Sequence, residues 1–461
     1  MVSIFKDVPS PLTFWTSAQT SNPDSHQTII SGILLTQEPG FAQPRPHFTM
    51  LTKLFLHQCR TAEPDSPLLR EAQIRWVTVL PFTEFVESHV RYGFSLKYRD
   101  EKVDFYVGTE EELELWVRAL EQSSILQDIE DDYSIGDVLG TGGQSIVYAG
   151  TDLDTGVRVA IKCFDKQLLR ESDKRFIALV HEVEVLRDLS HPRIVALYKV
   201  YESITHVQLV MEFIPGQELF ECLSLAGAFT EQEARGFMLN MLEVLKCMEE
   251  RNVVHRDLKP ENIILTDQND KTQFKLIDFG FATKYMGREL HDTCGSPGYV
   301  APEIILKHQH GPTVDIYSAG IIFYILLCGY SPFYSTKKAE VIKKNAKNEI
   351  PYQGVWMHMD SRLVKMVKVM TNFNAKQRTS AGELMNFLAG GLSAVDSVMR
   401  RSSVFTDERL PPLRKPLNIP LSPQPSYAKS PGASTPSTPV VRGSLSVKKP
   451  QNNLRWPNPH S

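Results

Sequence analysis

The run His255-Arg256-Asp257-Leu258-Lys259-Pro260-Glu261-Asn262, followed by Asp278-Phe279-Gly280, constrains the fold of this chain more than any other feature. It offers two carboxylates and an amide, the hard oxygen donors that a metal-bound polyanion needs. Upstream, Leu139-Gly140-Thr141-Gly142-Gly143-Gln144-Ser145-Ile146-Val147 lies between two strand-like runs, where glycines let backbone amides approach phosphate oxygens closely. Alone, that loop is a weak signal. The next strand, Val157 to Phe164, alternates so that Ala160 and Lys162 share one face and Val159 and Ile161 the other, directing an ammonium group toward the loop. Phe176, Leu179, Val180, Val183 and Leu186 then repeat at helical spacing, and Glu182 on that helix is the natural carboxylate partner for Lys162. A fold that gathers these parts holds a phosphate cradle, a cation, a base and metal ligands, the equipment of phosphoryl transfer.

Val159-Ala160-Ile161-Lys162, Glu182, His255 to Asn262, Asp278-Phe279-Gly280 and Ala301-Pro302-Glu303 together resemble the eukaryotic protein kinase family, in its order and spacing, from about Tyr133 to Phe387. The resemblance implies a bilobal fold that uses ATP and Mg2+. It implies Asp257 as catalytic base and Asn262 and Asp278 as magnesium ligands. Lys162, held by Glu182, would grip the α- and β-phosphates, and Lys259 would neutralise the γ-phosphate, as expected of Ser/Thr rather than Tyr kinases. For the nucleotide, the resemblance implies Leu139, Gly140, Gly142 and Ser145 at the phosphate loop, Val147 and Ala160 above the adenine and Ile264 below it. Met211 would close the back of the pocket, Glu212 to Ile214 would form the hinge, and Glu218 would reach the ribose.

Three positions depart from the family pattern. Ser145 stands where a third glycine is common, Gln144 replaces an aromatic at the loop tip, and Tyr317 replaces a Trp in a core helix. None removes a charge or a metal ligand, so catalysis is expected to survive with altered nucleotide affinity or loop mobility. A catalytically silent scaffold and a lipid-recruited adaptor are the competing readings.

Gly216-Gln217-Glu218-Leu219-Phe220-Glu221 and Cys294-Gly295-Ser296-Pro297-Gly298-Tyr299-Val300-Ala301-Pro302-Glu303 narrow the resemblance to the calcium/calmodulin-dependent kinase group. There Glu218 and Glu261 correspond to positions that meet arginines upstream of the target hydroxyl, which implies basophilic protein substrates. The alternative leaves Glu218 to the ribose alone and Glu261 to solvent. In related kinases a phosphorylatable Thr often sits three residues before the glycine of the Cys-Gly element; here that position is Asp292, whose carboxylate could pair with Arg256 and order the loop without an upstream kinase. The alternative makes Thr293 the phosphosite and Asp292 a solvated residue.

With 461 residues, 42% hydrophobic and 23% charged, the chain has room for a second domain. Between about Thr28 and Gln122, short β-rich runs appear at Phe48 to His57, Ile74 to Leu80, Gly93 to Tyr98 and Lys102 to Val107. A helix should close the segment, capped by Thr109, with Glu110 to Glu112 at its positive end and Leu113, Trp116, Val117 and Leu120 as one apolar stripe. The pattern and Trp116 resemble a pleckstrin-homology domain, a barrel or sandwich of strands capped by its C-terminal helix. An unrelated β-rich domain is the alternative. The stretch Gly32 to Met50, where such domains gather cations for inositide phosphates, offers only Arg45, so lipid binding competes with protein docking or a regulatory contact onto the kinase.

The expected organisation is an α+β chain: N-terminal segment 1–27, PH-like domain 28–122, linker 123–132, kinase domain 133–388 and a disordered basic tail 389–461. After Phe387 the sequence turns rich in Pro and Ser and carries about +7. Ser422, Ser430, Thr435 and Thr438 precede prolines and invite upstream proline-directed kinases, while Arg400-Arg401-Ser402-Ser403 fits autophosphorylation of Ser403 or substrate-like inhibition in cis. Leu392 to Met399 has no basic residue, which argues against calmodulin binding there.

No secretory pattern opens the sequence, and Val2 stands where myristoylation needs glycine. The longest apolar run, Ala319 to Cys328, is too short to span a bilayer. Six scattered cysteines fit a reducing cytoplasm, with transient membrane association as an addition, and a net charge of −4 predicts no attraction to nucleic acid.

Overall fold

Two antiparallel meanders make the N-terminal body, preceded by the short β1 (Thr16–Ser17) on the edge of β5. The first meander is β2 (Thr28–Thr36), β3 (Arg45–Thr52), β4 (Phe55–Cys59) and β5 (Leu68–Gln73); the second is β6 (Thr78–Val86), β7 (His89–Tyr98) and β8 (Glu101–Val107). Leu35 and Thr36 at the end of β2 pair with Tyr106 and Phe105 of β8, which joins the meanders into one eight-stranded sheet of order β1-β5-β4-β3-β2-β8-β7-β6. Helix α1 (Glu110–Glu121) closes it as expected: Thr109 accepts a hydrogen bond from the Glu112 amide, and Leu113, Trp116 and Leu120 are buried. Trp116 stacks toward Phe94, with ring centroids 6.2 Å apart.

Two strand expectations need correction. Phe48 to His57 is not one strand but two, because the chain turns at Lys53–Leu54, where the Thr52 hydroxyl accepts from the Phe55 amide and supplies a local turn. Ile74 to Val77 is not strand at all; Ile74, Trp76 and Val77 are buried in a turn, and β6 begins at Thr78. The strands β2 and β5 went unrecognised in the sequence.

Residues 123–132 run as a packed strap. Ile125 bridges to Thr78 of the first body and Leu126 to Tyr201 of the second, and α2 (Ile129–Asp132) seats Ile129 fully buried. Beyond it, β9 (Tyr133–Thr141), β10 (Ile146–Asp152) and β11 (Arg158–Asp165) lead through α3 (Lys166–Arg170) to α4 (Asp173–Asp188). Strands β12 (Leu197–Glu202) and β13 (His206–Glu212) complete a five-stranded sheet of order β12-β13-β11-β10-β9. On α4 the stripe Leu179, Val180, Val183 and Leu186 is buried, as its spacing predicts.

The second lobe is mainly helical. It comprises β14 (Gln217–Glu218), α5 (Leu219–Ala226), α6 (Glu231–Glu250), β15 (Val253–Val254), β16 (Ile263–Leu265), β17 (Phe274–Leu276) and β18 (Thr283–Lys284). It continues through α7 (Pro302–Ile305), α8 (Thr313–Cys328), α9 (Lys338–Ala346), α10 (Ser361–Met370) and α11 (Ala381–Leu388). A capping box at Thr230 and Glu233 starts α6. Helix α8 is buried from Val314 to Leu327, the apolar run that could not span a bilayer. No described helix is long and apolar enough to cross a membrane.

The computed structural model describes residues 3–8, 13–18, 28–38, 41–64, 66–86, 89–287 and 289–390, all within one compact unit. A single apolar core runs from Trp76 and Ile125 through Leu186 and Val200 into the helical lobe. Arg400, Ser403, Ser422, Ser430, Thr435, Thr438 and the run Leu392 to Met399 lie outside the described residues.

Candidate active site

The short pair β15–β18 and the hairpin β16–β17 place the run His255 to Asn262. Val253 and Val254 are tied to Lys284 and Thr283, so the chain leaves β15 directly into His255 and Arg256, where Arg256 takes a left-handed φ of +68°. A non-glycine residue holds that conformation only when its surroundings fix it. They do: Asp315 at the start of α8 accepts the amide hydrogens of His255 at 2.7 Å and Arg256 at 2.8 Å. Asp315 was quoted in the sequence only as a neighbour of Tyr317, and its role became visible only when α8 was seen beneath the loop.

Beyond this bend, the Asp257 amide donates to His255 Nδ1 at 3.2 Å, and Asn262 Nδ2 donates to the Asp257 carbonyl at 2.9 Å. Lys259 Nζ lies 3.1 Å from Asp257 Oδ2 and donates to Ser296 Oγ, also at 3.1 Å. Ser296 is a second site residue that sequence reasoning quoted without assigning; a hydroxyl two residues after Cys294 was the available signal. The other Asp257 oxygen, Oδ1, is buried without a hydrogen-bond partner among the described residues. Such an orphaned acceptor costs stability unless something else occupies it during function.

Lys162 on β11 reaches Glu182 of α4 at 2.6 Å and Asp278 at 2.9 Å. Burial alone would lower its pKa, but the charges of Asp278 and Glu182 overcome that cost and hold the ammonium above its ordinary range. In turn the Lys162 ammonium, together with the Gly280 amide, holds the Asp278 carboxyl well below the usual carboxylate range. Gly280 earns its place by proximity: a Cβ there would sit 3.3 Å from Asp278 Oδ1 and 3.8 Å from Lys162 Nζ. Phe279, fully buried, meets the His255 ring edge at 4.9 Å, and burial pushes His255 down to about 4, a neutral imidazole at physiological pH.

The residues expected to line a nucleotide site lie on or beside the strands of the sheet and on β16. Val147 on β10, Ala160 on β11 and Ile264 on β16 are half-buried, and Ala160 is in register with Met211 of β13. Gly140 and Val147 are paired across the β9–β10 hairpin, with Leu139 exposed beside them, and the Gly142 amide donates to the Ser145 carbonyl at 2.8 Å. A Cβ on Gly140 or Gly143 would meet no protein atom within 4 Å, so the loop leaves room for something other than protein. Ser145 does not sit at a positive φ, so a residue other than glycine adds no backbone strain there. The Glu212 amide is spent on the Ala196 carbonyl and its carboxylate on Lys275 at 2.6 Å, which leaves only its carbonyl, with Ile214, for a hinge contact.

Around this centre, Glu218 is paired across β14–β16 with Ile264, and partial burial plus the charges of Glu221 and Glu261 raise its pKa. Burial also raises Glu261, whose Oε2 is a second unpartnered buried oxygen. Arg256 Nη1 lies 3.2 Å from Asp292 Oδ2, while its Nε donates to the Phe281 carbonyl at 2.8 Å. Tyr317 is fully buried; its hydroxyl donates to Asn348 Oδ1 at 2.8 Å, and Arg378, ion-paired with Glu303, lies 4.9 Å above its ring. The Tyr317 hydroxyl also accepts from Asn345 Nδ2 at 3.2 Å, a bond that an indole, which only donates, could not accept.

Residues 133–387 match the family model described as the protein kinase domain, which is more than half of the chain. The chain is 40% identical over 225 residues to calcium/calmodulin-dependent protein kinase type 1 of Caenorhabditis briggsae, covering 49% of this chain and 62% of that protein. The Caenorhabditis elegans protein of the same name gives the same identity over the same length, covering 64% of the relative. Identity is 38% over 250 residues to probable serine/threonine-protein kinase 2 of Plasmodium falciparum, covering 54% of this chain and 48% of that protein. The match thus spans less than two thirds of these relatives' own lengths. A model match over this many residues, on a scaffold that brings Lys162, Glu182, Asp257, Asn262 and Asp278 together, makes the chain a member of the protein kinase family.

Proposed function

We propose that the chain is an active Ser/Thr protein kinase that transfers the γ-phosphate of ATP to protein hydroxyls with basic residues upstream. One observation carries the proposal: Lys162 stands 2.6 Å from Glu182 and 2.9 Å from Asp278, so the cationic and acidic parts of the site are assembled in one cluster. The donor set fits Mg2+, which takes few protein ligands and shares the rest with water and phosphate. Asp278 Oδ1 is committed to Lys162 and Gly280, which leaves Oδ2, with Asn262 Oδ1, to hold the ion. When bound, the ion supplies charge neutralisation across the phosphate oxygens.

The chain's own residues do the rest. Lys162 presents a fixed positive charge to the α- and β-phosphates. Asp257, oriented by Lys259 through Oδ2, keeps Oδ1 to accept the hydrogen of the substrate hydroxyl. Lys259, bridged to Ser296, stays charged because Asp257 outweighs the cost of its burial, and it faces the charge that develops on the transferring group. Glu218 and Glu261 support the basophilic preference, since two destabilised carboxylates gain most from a guanidinium partner. Asp292 at Arg256 supports loop ordering without prior phosphorylation. Transfer of labelled γ-phosphate from ATP and Mg2+ to an arginine-directed peptide library tests the function; the signal must vanish in Asp278→Ala. No transfer by the unaltered chain leaves a silent scaffold.

For the N-terminal body we propose a pleckstrin-homology-like domain that docks protein. Two meanders closed by a helix with a buried Trp116 support the fold assignment. The lone cation of the first hairpin, Arg45, lies 3.5 Å over the Phe41 ring, which favours protein docking over inositide capture. Liposome sedimentation across inositide headgroups tests this; specific co-sedimentation would reverse the assignment. Action in the cytoplasm, supported by six unpaired thiols, completes the proposal.

A further inference from the structure

The segment Ser3–Val8 is one 3-10 turn, Ile4–Asp7, with Ser3 as its cap. A turn this short has no stability of its own. Yet Phe5 is only 1% exposed, and Ile4 and Val8 are buried beside it. What holds the segment is its surroundings, and they form a receptor with a polar and an apolar part.

The polar part is Glu202 at the end of β12, 2% exposed. It accepts the Ser3 hydroxyl and the Ile4 amide, each at 2.6 Å, while Lys166 Nζ neutralises it at 2.7 Å and also reaches the Ser203 carbonyl. A buried carboxylate that takes a donor on each oxygen from one incoming segment is a recognition device; without the segment those two hydrogen bonds are exchanged for water. The apolar part is a slot between the two bodies. Phe5 stacks on Trp76, with centroids 4.9 Å apart and planes at 21°, and its ring lies 6.3 Å from that of Phe176 on α4. Arg99 reaches the Val8 carbonyl at 3.4 Å.

We propose that this slot is a peptide-binding site, that its occupant is the chain's own Ser3–Val8, and that occupancy keeps α4 in the position where Glu182 meets Lys162. Phe176 and Glu182 are on one continuous helix, about 9 Å apart along its axis at the usual rise per residue. A rod supported at Phe176 delivers Glu182 to a fixed place; with the slot empty, Phe176 and Trp76 lose the Phe5 ring and the first half of α4 is held less firmly, while Asp188 and Arg187 still anchor its far end. Both parts together read a small hydroxyl residue, an aliphatic and then an aromatic, in the order Ser3, Ile4, Phe5. Lys6 points to solvent and is not read.

The inference uses the kinase function only for one of its readouts. In the full chain, Phe5→Ala is expected to raise hydrogen exchange along Phe176–Glu184 and to lower phosphoryl transfer about tenfold, a coupling of ordinary size. A synthetic peptide of residues 1–10, added in trans, is expected to restore both, whereas the same peptide with Phe5→Ala restores neither; Lys6→Ala in the chain changes neither. Should Phe5→Ala fail to fold, Ser3→Asp sets a second carboxylate against Glu202, which weakens occupancy while every apolar side chain is kept, and it carries the same measurements. Unaltered exchange on α4 in the variant, or recovery with the Phe5→Ala peptide as well, overturns the inference. Because exchange is read without catalysis, a chain inactive from the start would sink the proposed function and leave this site to stand or fall separately.

Discussion

Helix α4 is held on two sides by different chemistry. Toward the cleft it offers Glu182 to Lys162, inside a charge cluster completed by Asp278. On the opposite side it meets the N-terminal body: Asp188 takes Arg75 at 2.7 Å, Arg187 donates to the Arg75 and Ser124 carbonyls and lies 5.7 Å from the Trp76 ring, and Phe176 lies against Phe5. The cleft side is made by residue types that the reaction dictates. The outer side is made by whatever segment happens to be attached, and it places the same helix. The helix that carries the partner of Lys162 is thus also held by residues far from the cleft.

The sharpest way to break the comparison is to remove the cleft side alone. Lys162→Met leaves Glu182 and Asp278 facing each other without a cation, a loss of about 3–5 kcal/mol, and phosphoryl transfer should fall about a thousandfold. Steady-state assay checks the rate, and unchanged exchange on the outer half of α4 would show that the two sides are independent. Next is Trp76→Ala, which empties the outer side; a loss of about 3–4 kcal/mol in denaturant unfolding is expected, with a smaller loss of activity than in Lys162→Met.

Acidification separates the floor of the cleft from both sides. Burial raises Asp315 to about 6 in the folded chain, so its contribution to stability is full below its unfolded pKa and is lost as pH rises through 6. His255, lowered to about 4 by burial, has the opposite sign: its contribution is full above 6.5 and is lost as pH falls through 4. The two offset each other in the unaltered chain. Asp315→Asn keeps only the His255 effect, so the stability gap between the two proteins should widen by up to about 3 kcal/mol between pH 7 and pH 4, as read by thermal melts. The smallest effect belongs to the loop beyond Arg256. Unphosphorylated Asp292→Ala should lose about tenfold in activity, near 1.4 kcal/mol, whereas Thr293→Ala should keep it; the reverse result would make Thr293 the regulatory position.

The grouping at the cleft was legible because Lys162, Asp257, Asn262 and Asp278 stand at spacings that a sheet and a short loop bring together, while the phosphate, metal and base roles expected of them belong to the proposal. Asp315 and Ser296 were less legible: they serve the loop through single hydrogen bonds from distant elements, which leave no periodicity behind. The outer side of α4 was not legible at all. Ile74 to Leu80 read as a strand because its residues are apolar, but Trp76 owes that character to the other body and not to a pleated surface. Phe5 is one aromatic in six residues, too few for any pattern. Lys53–Leu54 hid a turn for a different reason, since the Thr52 hydroxyl replaces the glycine or proline that would have announced it.

The ion pair of Arg256 and Asp292 has unequal ends: the guanidinium side chain is 8% exposed and the carboxylate 79%. Most of its field lines therefore pass through water, where dissolved salt screens charges beyond about 8 Å at physiological ionic strength and nearer as salt rises. A loop ordered this way should loosen as potassium chloride is added, while the pair of Lys162 and Glu182, with side chains 11% and 3% exposed, keeps its geometry. Ionic strength would then act on this chain as a dimmer, turning down loop order without touching Lys162.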